Sequence, residues 1–149
     1  MVLLVHLLFG ALIGKEISNP FLAIILAFFG HYFLDFLPHI EYPIKNIKNN
    51  QWRKAAPDIS RVASDFSAGI LLIFLFSNNH SIIYVCAFFA ILPDGFSLLN
   101  SLTENKILAK HSELHQGKLH FLENKKIPKF WRIFSQVIVV VICIYFLKF

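Results

Sequence analysis

Residues 20–39 read PFLAIILAFFGHYFLDFLPH, and this stretch decides the fold class of the 149-residue chain. The run from 20 to 37 is largely apolar, is closed by Pro38, and is close to the minimum of about 17 residues that a membrane-spanning helix needs. Its apolar residues do not alternate with polar ones, so a helix is expected rather than a strand of a membrane barrel. The same stretch carries His31 and Asp35, which are unusual inside such a run.

Four further apolar segments accompany this one along the chain. They are residues 2–14, about 59–76, 81–92 (reaching Leu99 if the helix continues through Pro93) and 130–147. The composition is 56% hydrophobic and only 15% charged, whereas soluble domains have about 25% charged residues. These features predict an all-α fold: a polytopic membrane bundle of about five helices in a single domain, residues 1–149. Cys86 and Cys143 lie inside apolar runs and are interpreted as core residues.

The first segment, residues 2–14, is shorter than a full span. A tilted helix, a locally thinned bilayer or a segment that enters without crossing would each accommodate this length. A signal peptide is a further alternative, but the segment lacks a basic start and has His6 in the middle of its apolar run.

The positive charge is concentrated in two of the connections between segments. The long connections, residues 40–56 and 100–129, contain most of the lysines and arginines, while residues 15–19 and 77–80 are short and nearly uncharged. With five crossings, both basic connections and the N-terminus lie on one side, which the positive-inside rule makes cytoplasmic. We therefore expect an integral protein of a prokaryotic plasma membrane. The net charge of +5 is then expected to serve lipid headgroups and not nucleic acid, and the oligomeric state is left open.

Ionisable side chains inside membrane spans are costly, by about 2.5–3.5 kcal/mol at the centre of a helix, and so they indicate function. On the five-span topology, all those found here lie toward the cytoplasmic ends of their segments. The histidines and carboxylates among them are His6, His31, Asp35, Asp65 and Asp94, with His39 directly after the second segment. This clustering predicts a one-sided site for a divalent metal, with zinc favoured and manganese or iron as alternatives.

His31 and Asp35 are four residues apart and share a helix face. A structural alternative for the pair is a hydrogen bond that satisfies two buried groups. His111 and His115 have the same spacing, and a helix over residues 103–122 places both on its apolar face. We expect them to act as acid and base or to complete the metal coordination. The alternative is an interfacial amphipathic segment, about 101–128, with incidental histidines.

The chain also contains an apparent internal repeat, with one half over residues 1–40 and the other over about 58–97. Each half places a ligand-type residue four positions before a glycine and another directly after Leu-Pro. These residues are His6 before Gly10, Asp65 before Gly69, His39 and Asp94. The pattern predicts a duplicated helical hairpin in which glycines allow close helix approach. Chance similarity between two apolar hairpins is the alternative.

These motifs resemble those of the membrane-bound metal-dependent hydrolases of bacteria and archaea, in particular the inner-membrane hydrolases described as LexA-binding. The resemblance rests on His6-x-x-x-Gly10, residues 31–39, Leu92-Pro-Asp94 and the region of His111 and His115, and it covers the chain up to about residue 120. Two features depart from that pattern: the Pro-Asp pair is late, and a His-Arg-Gly stretch is missing.

The leading functional hypothesis is a metal-dependent hydrolase that acts on a lipid-like phosphoester or ester at the cytoplasmic face. In this hypothesis His6, His39, Asp65 and Asp94 are metal ligands, and His31 and Asp35 are ligands or orient them. A non-catalytic protein, either a metal or proton carrier or an assembly factor, is the rival hypothesis. A membrane protein whose polar groups only pair with one another is the third.

Overall fold

The computed structural model describes residues 1–103, 105–115 and 127–149, and within them the chain is helical with no strand. The described residues form seven α-helices and one 3-10 turn, Trp52–Lys54. The helices are α1 (Leu3–Glu16), α2 (Pro20–Asp35), α3 (Lys45–Lys48), α4 (Ala56–Phe76), α5 (Ser81–Leu102), α6 (Lys106–Ser112) and α7 (Lys129–Lys148). The all-α prediction is confirmed.

Local sequence signals account for several helix ends. At the start of α2, the Asn19 side chain accepts hydrogen bonds from the amides of Phe21 (3.0 Å) and Leu22 (3.1 Å), and Pro20 occupies the first helical position. α4 likewise has a proline in its first turn. α5 continues through Pro93 to Leu102, so the longer of the two readings of that segment is correct.

Three helices, α4, α5 and α7, are long and apolar enough to cross a membrane, consistent with a membrane protein. α2 is a shorter apolar helix, and α1 has only 14 residues, about 21 Å of helix. Large apolar side chains lie at the surface of the long helices, where lipid would be a better solvent than water. Examples are Leu71, Phe74, Phe88 and Val141.

The short helix α1 lies at the centre, in contact with α2, α4, α5 and α7. Its close approach to α5 depends on Gly10, where a Cβ atom would lie 2.6 Å from the Cys86 carbonyl oxygen and 2.6 Å from the Ala90 Cβ. On α4, a Cβ atom at Gly69 would lie 2.6 Å from Leu7 Cδ1. The predicted close helix approaches at both glycines are confirmed.

The two predicted hairpins pack differently. α1 and α2 contact each other, whereas α4 and α5 do not pack along each other within the described residues, because α1 lies between them. The duplicated hairpin therefore stays a prediction from the sequence, without support from the packing of these helices.

The bundle has two unlike ends. At one end, Lys15 Nζ donates hydrogen bonds to the carbonyls of Phe146 (2.6 Å) and Leu147 (3.1 Å). At the other, Gln136 Nε2 near the start of α7 donates to the Ile40 carbonyl (3.1 Å).

This second end, where α1, α4 and α7 begin and α2 and α5 finish, is called the site end. It holds every buried polar side chain of the described residues: His6, His31, Asp35, His39, Asp58, Ser97, His115 and Gln136.

The Gly10→Ala variant tests the packing of α1 on α5. Alanine favours a helix over glycine by about 1 kcal/mol, but here the added methyl would press on α5 backbone atoms, and overpacking costs about 1–3 kcal/mol. We therefore expect a lower unfolding temperature in detergent. Gly95→Ala on α5 is the matched control, because a Cβ atom there meets nothing within 4 Å, and it should leave the temperature unchanged or raise it. Equal effects of the two substitutions would contradict this packing.

Candidate metal centre

Four side chains at the site end form a group that could hold a metal ion: His31, Asp35, Asp94 and His115. α2 supplies His31 and Asp35 from one face, α5 supplies Asp94, and His115 lies three residues beyond the end of α6. One ligand atom from each residue lies within 4.8 Å of all the others. Three of the four residues are buried, and Asp94 is partly exposed.

The three buried ligand atoms form a compact triangle. His31 Nε2 lies 3.0 Å from His115 Nε2 and 3.1 Å from Asp35 Oδ2, and the third side, from His115 Nε2 to Asp35 Oδ2, is 2.9 Å. In a tetrahedral site with bonds of about 2.0–2.1 Å, ligand atoms are about 3.3 Å apart. Asp94 Oδ1, 3.7 Å from His31 Nε2, lies near the fourth corner. The spacing therefore fits a metal ion with little rearrangement.

Hydrogen bonds on the outer nitrogens orient both imidazoles. His31 Nδ1 lies 2.7 Å from the Ala90 carbonyl oxygen, and because a carbonyl only accepts, this nitrogen is the donor. His115 Nδ1 lies 3.0 Å from Ser97 Oγ. Such outer contacts typically fix the ring orientation and tautomer of metal-binding histidines. In the neutral tautomer, His31 consequently directs the lone pair of Nε2 into the triangle.

The three ligand atoms of the triangle carry several lone pairs when the two imidazoles are neutral. His31 Nε2 and Asp35 Oδ2, which lie 3.1 Å apart, are then both hydrogen-bond acceptors. A cation at the centre meets all three lone pairs together. A divalent metal ion would provide this cation. The donor chemistry thus fits a metal such as zinc, whose usual ligands include imidazole and carboxylate.

His6 lies beside this group and not within it. Its ring is fully buried and stacks on His31 with 4.0 Å between ring centroids. His6 Nε2 is 3.3 Å from Asp35 Oδ1, yet neither ring nitrogen makes a hydrogen bond of good geometry with a described residue. Asp35 therefore faces two sides: one oxygen contacts His31 and His115, and the other faces His6 and the Met1 amine, which lies 3.0 Å away.

Asp65 and His39, which the sequence analysis proposed as ligands, are not brought into the group of four. Asp65 Oδ2 accepts hydrogen bonds from the Leu4 amide (3.2 Å) and the Tyr42 hydroxyl (3.3 Å), so it caps the start of α1 from the side of α4. Burial, together with the Asp65 charge, raises the pKa of Tyr42. His39 Nδ1 lies 2.8 Å from the Leu37 carbonyl, and its Nε2 lies 3.3 Å from Glu41 Oε1.

His111 lies next to the group, one helical turn before His115. Its Nε2 is 2.8 Å from the Tyr32 hydroxyl, and its buried Nδ1 has no hydrogen-bond partner among residues 1–103, 105–115 and 127–149. Burial, followed by the nearby His115 and His31, lowers the pKa of His111. The expected inward orientation of His115 is confirmed, since its exposed fraction is 1%. The predicted amphipathic segment, about 101–128, is only partly assessed, because residues 104 and 116–126 lie outside the described residues.

Ser97 and Tyr32 also belong to the site, and neither was predicted from the sequence. Ser97 follows Asp94 by three positions, a spacing that places both on one helix face and that was available in the sequence. Tyr32 follows His31 directly and carried no comparable signal.

No match to this chain was found among family models, curated proteins or solved structures. The function of this chain is therefore inferred from the geometry and the chemistry of this site.

Substitution of one of the proposed metal-binding side chains should strongly weaken zinc binding. We expect purified protein to bind about one zinc ion per chain, and His115→Ala and the near-isosteric Asp35→Asn to bind it at least about 100-fold more weakly. Ser97→Ala, which removes only the outer contact, should cost about 10–100-fold. His80→Ala, in an exposed loop at the opposite end, is the control. Metal analysis and competition with a chelator measure these affinities, and unchanged zinc affinity in both ligand variants would exclude the site.

Proposed function

We propose that this chain is a membrane-embedded, metal-dependent hydrolase that acts on a lipid-like phosphoester or ester. The observation that carries the proposal is the asymmetry of the four-residue group. Three ligand atoms are closely spaced and buried, while the Asp94 side chain is 30% exposed and lines a cavity of about 300 Å³ together with His115. Catalytic zinc sites typically combine three protein ligands with a position open to water or substrate.

Each residue has a defined task in this proposal. His31, His115 and Asp35 would hold the metal, and Asp94 would complete the coordination or bind the attacking water on the cavity side. The metal, when bound, would lower the pKa of that water and polarise the scissile group. His111 accepts a proton and returns it to the leaving oxygen, with its ring positioned by the hydrogen bond to Tyr32 (2.8 Å).

The membrane placement in this proposal follows from the helices and the charges. Five helices, α1, α2, α4, α5 and α7, form the membrane bundle, and the short helices α3 and α6 lie at its surface. The site end is cytoplasmic, since it carries the basic connections, and the membrane is a prokaryotic plasma membrane. The resemblance to membrane-bound metal-dependent hydrolases, carried by residues 31–39 and by Asp94, supports the same reaction class.

A metal or proton carrier is the main competing function, and the core of the bundle argues against it. A carrier needs polar groups that continue from the site to the opposite end. Among the described residues, no buried polar side chain lies on that side, and the core there includes Leu8, Ala11, Ile83, Cys143 and Leu147. A one-sided site suits catalysis at a membrane surface better than a path through the bilayer.

His111→Ala separates the reaction from metal binding. Because general acid–base catalysis typically contributes about 10²–10⁴-fold, we expect kcat to fall at least about 100-fold while zinc content stays at the wild-type level. Release of phosphate or fatty acid from a panel of phospholipids in detergent micelles measures turnover. His80→Ala should behave as wild type. Absence of turnover across the panel with zinc-loaded wild-type protein, or full activity of His111→Ala, would contradict the proposal.

A further inference from the structure

The cavity beside the metal centre arises from a difference in helix length. α1 separates α4 from α5, but α1 begins only at the level of Asp65, which caps its first amides. Asp65 is nine residues into α4, roughly 13 Å from the start of that helix. Beyond this level, α1 no longer separates the first turns of α4 from the last turns of α5. The space that remains, about 300 Å³, is called the α4–α5 cleft.

The α4–α5 cleft has an apolar wall and a polar inner end. Leu3, Val62, Ile91 and Leu98 contribute apolar side chains, and Asp94, Ser97 and His115 form the polar end that continues into the metal centre. Of the described helices, only α1 and α3 contact both α4 and α5. α1 forms the floor of the cleft, and α3 covers it from the site end. In the membrane placement proposed above, the side of the cleft between α4 and α5 that no described helix covers would face the bilayer.

We propose that the α4–α5 cleft binds the substrate, and that the substrate is an amphiphile with a phosphate ester headgroup that enters sideways from the bilayer. Its headgroup lies at Asp94 and His115, and the first part of its chain lies along the apolar wall. This inference rests on the proposed function, because it names the substrate class of the same site.

Charge favours a phosphate head over an uncharged ester. Asp35 and Asp94 balance the charge of a divalent metal, and Lys48 on α3 adds a cation at the rim of the cleft. The acidic residue at the same rim, Glu41, already has partners: the Met1 amine and His39 Nε2 each lie 3.3 Å from Glu41 Oε1. A phosphate ester presents more than one charged oxygen, so one oxygen reaches the metal while another pairs with the Lys48 ammonium.

The volume of the cleft favours entry of the substrate from the side, between α4 and α5. A volume of about 300 Å³ is at the lower limit for small-molecule pockets, which suits a headgroup and a short stretch of chain but not a whole lipid. The remainder of an acyl chain must then leave through the gap between α4 and α5. Gly95 lines the cleft next to Asp94, and a Cβ atom there meets nothing within 4 Å. A larger side chain at this position therefore has open space beside Asp94 and would narrow the cleft without displacing backbone.

The test compares binding to zinc-loaded protein in a non-ionic detergent, using lysophosphatidic acids of increasing chain length, inorganic phosphate and a neutral monoacylglycerol. We expect lysophosphatidic acid to bind at least about tenfold more tightly than either of the others. Gly95→Leu should weaken its binding at least about tenfold while zinc content and unfolding temperature are retained, and Gly95→Ala should have little effect. Lys48→Gln should weaken binding of lysophosphatidic acid but not of monoacylglycerol.

The outcomes of these measurements distinguish a failure of the cleft as the binding site from a failure of the proposed hydrolysis. Unchanged lysophosphatidic acid affinity in Gly95→Leu would overturn the cleft as the binding site, even if the protein hydrolyses phospholipids. Equal affinity for inorganic phosphate would show that the headgroup alone is recognised, and equal affinity for monoacylglycerol would remove the role of the phosphate. Binding as expected without any turnover would support the cleft and count against hydrolysis.

Discussion

The buried carboxylate of Asp35 is the constraint on which the site end depends. Taking a carboxylate out of water costs several kcal/mol unless close partners compensate it. Here one oxygen contacts His31 and His115, and the other faces His6 and the Met1 amine. These partners come from α1, from α2 and from the segment beyond α6, so one charge joins three parts of the chain. A metal ion in the triangle would strengthen the same set of contacts.

Helix packing brings these partners to the carboxylate. The glycine at position 10 allows α1 to approach α5 backbone to backbone, and this places His6, one turn earlier, against the ring of His31. The same central position keeps α4 and α5 apart, and because α1 is short, the separation leaves a cleft where α1 has not yet begun. The metal centre and the cavity beside it thus follow from one feature, a short helix enclosed by longer ones.

Local patterns in the sequence predict much of this arrangement. Apolar length gives the helices, and four-residue spacing gives the His31–Asp35 pair and the inward side of His115. The role of Asp65 was not predictable in this way, because it depends on the level along α4 at which the first turn of α1 lies. In the predicted repeat, His6 and Asp65 are equivalent positions. In the structure, His6 lies beside the metal centre, whereas Asp65 caps the start of α1. The closeness of Asp94 to His115 likewise depends on tertiary packing.

X-ray absorption at the zinc edge tests the central claim most directly, because it reports the ligand atoms around the metal in the intact protein. The account predicts about four nitrogen and oxygen ligands at about 2.0–2.1 Å, with the multiple-scattering signature of two imidazoles. Cys86 and Cys143 lie in apolar core clusters away from the site, so sulfur should be absent. A sulfur shell at about 2.3 Å, or zinc without imidazole ligands, would contradict the proposed centre.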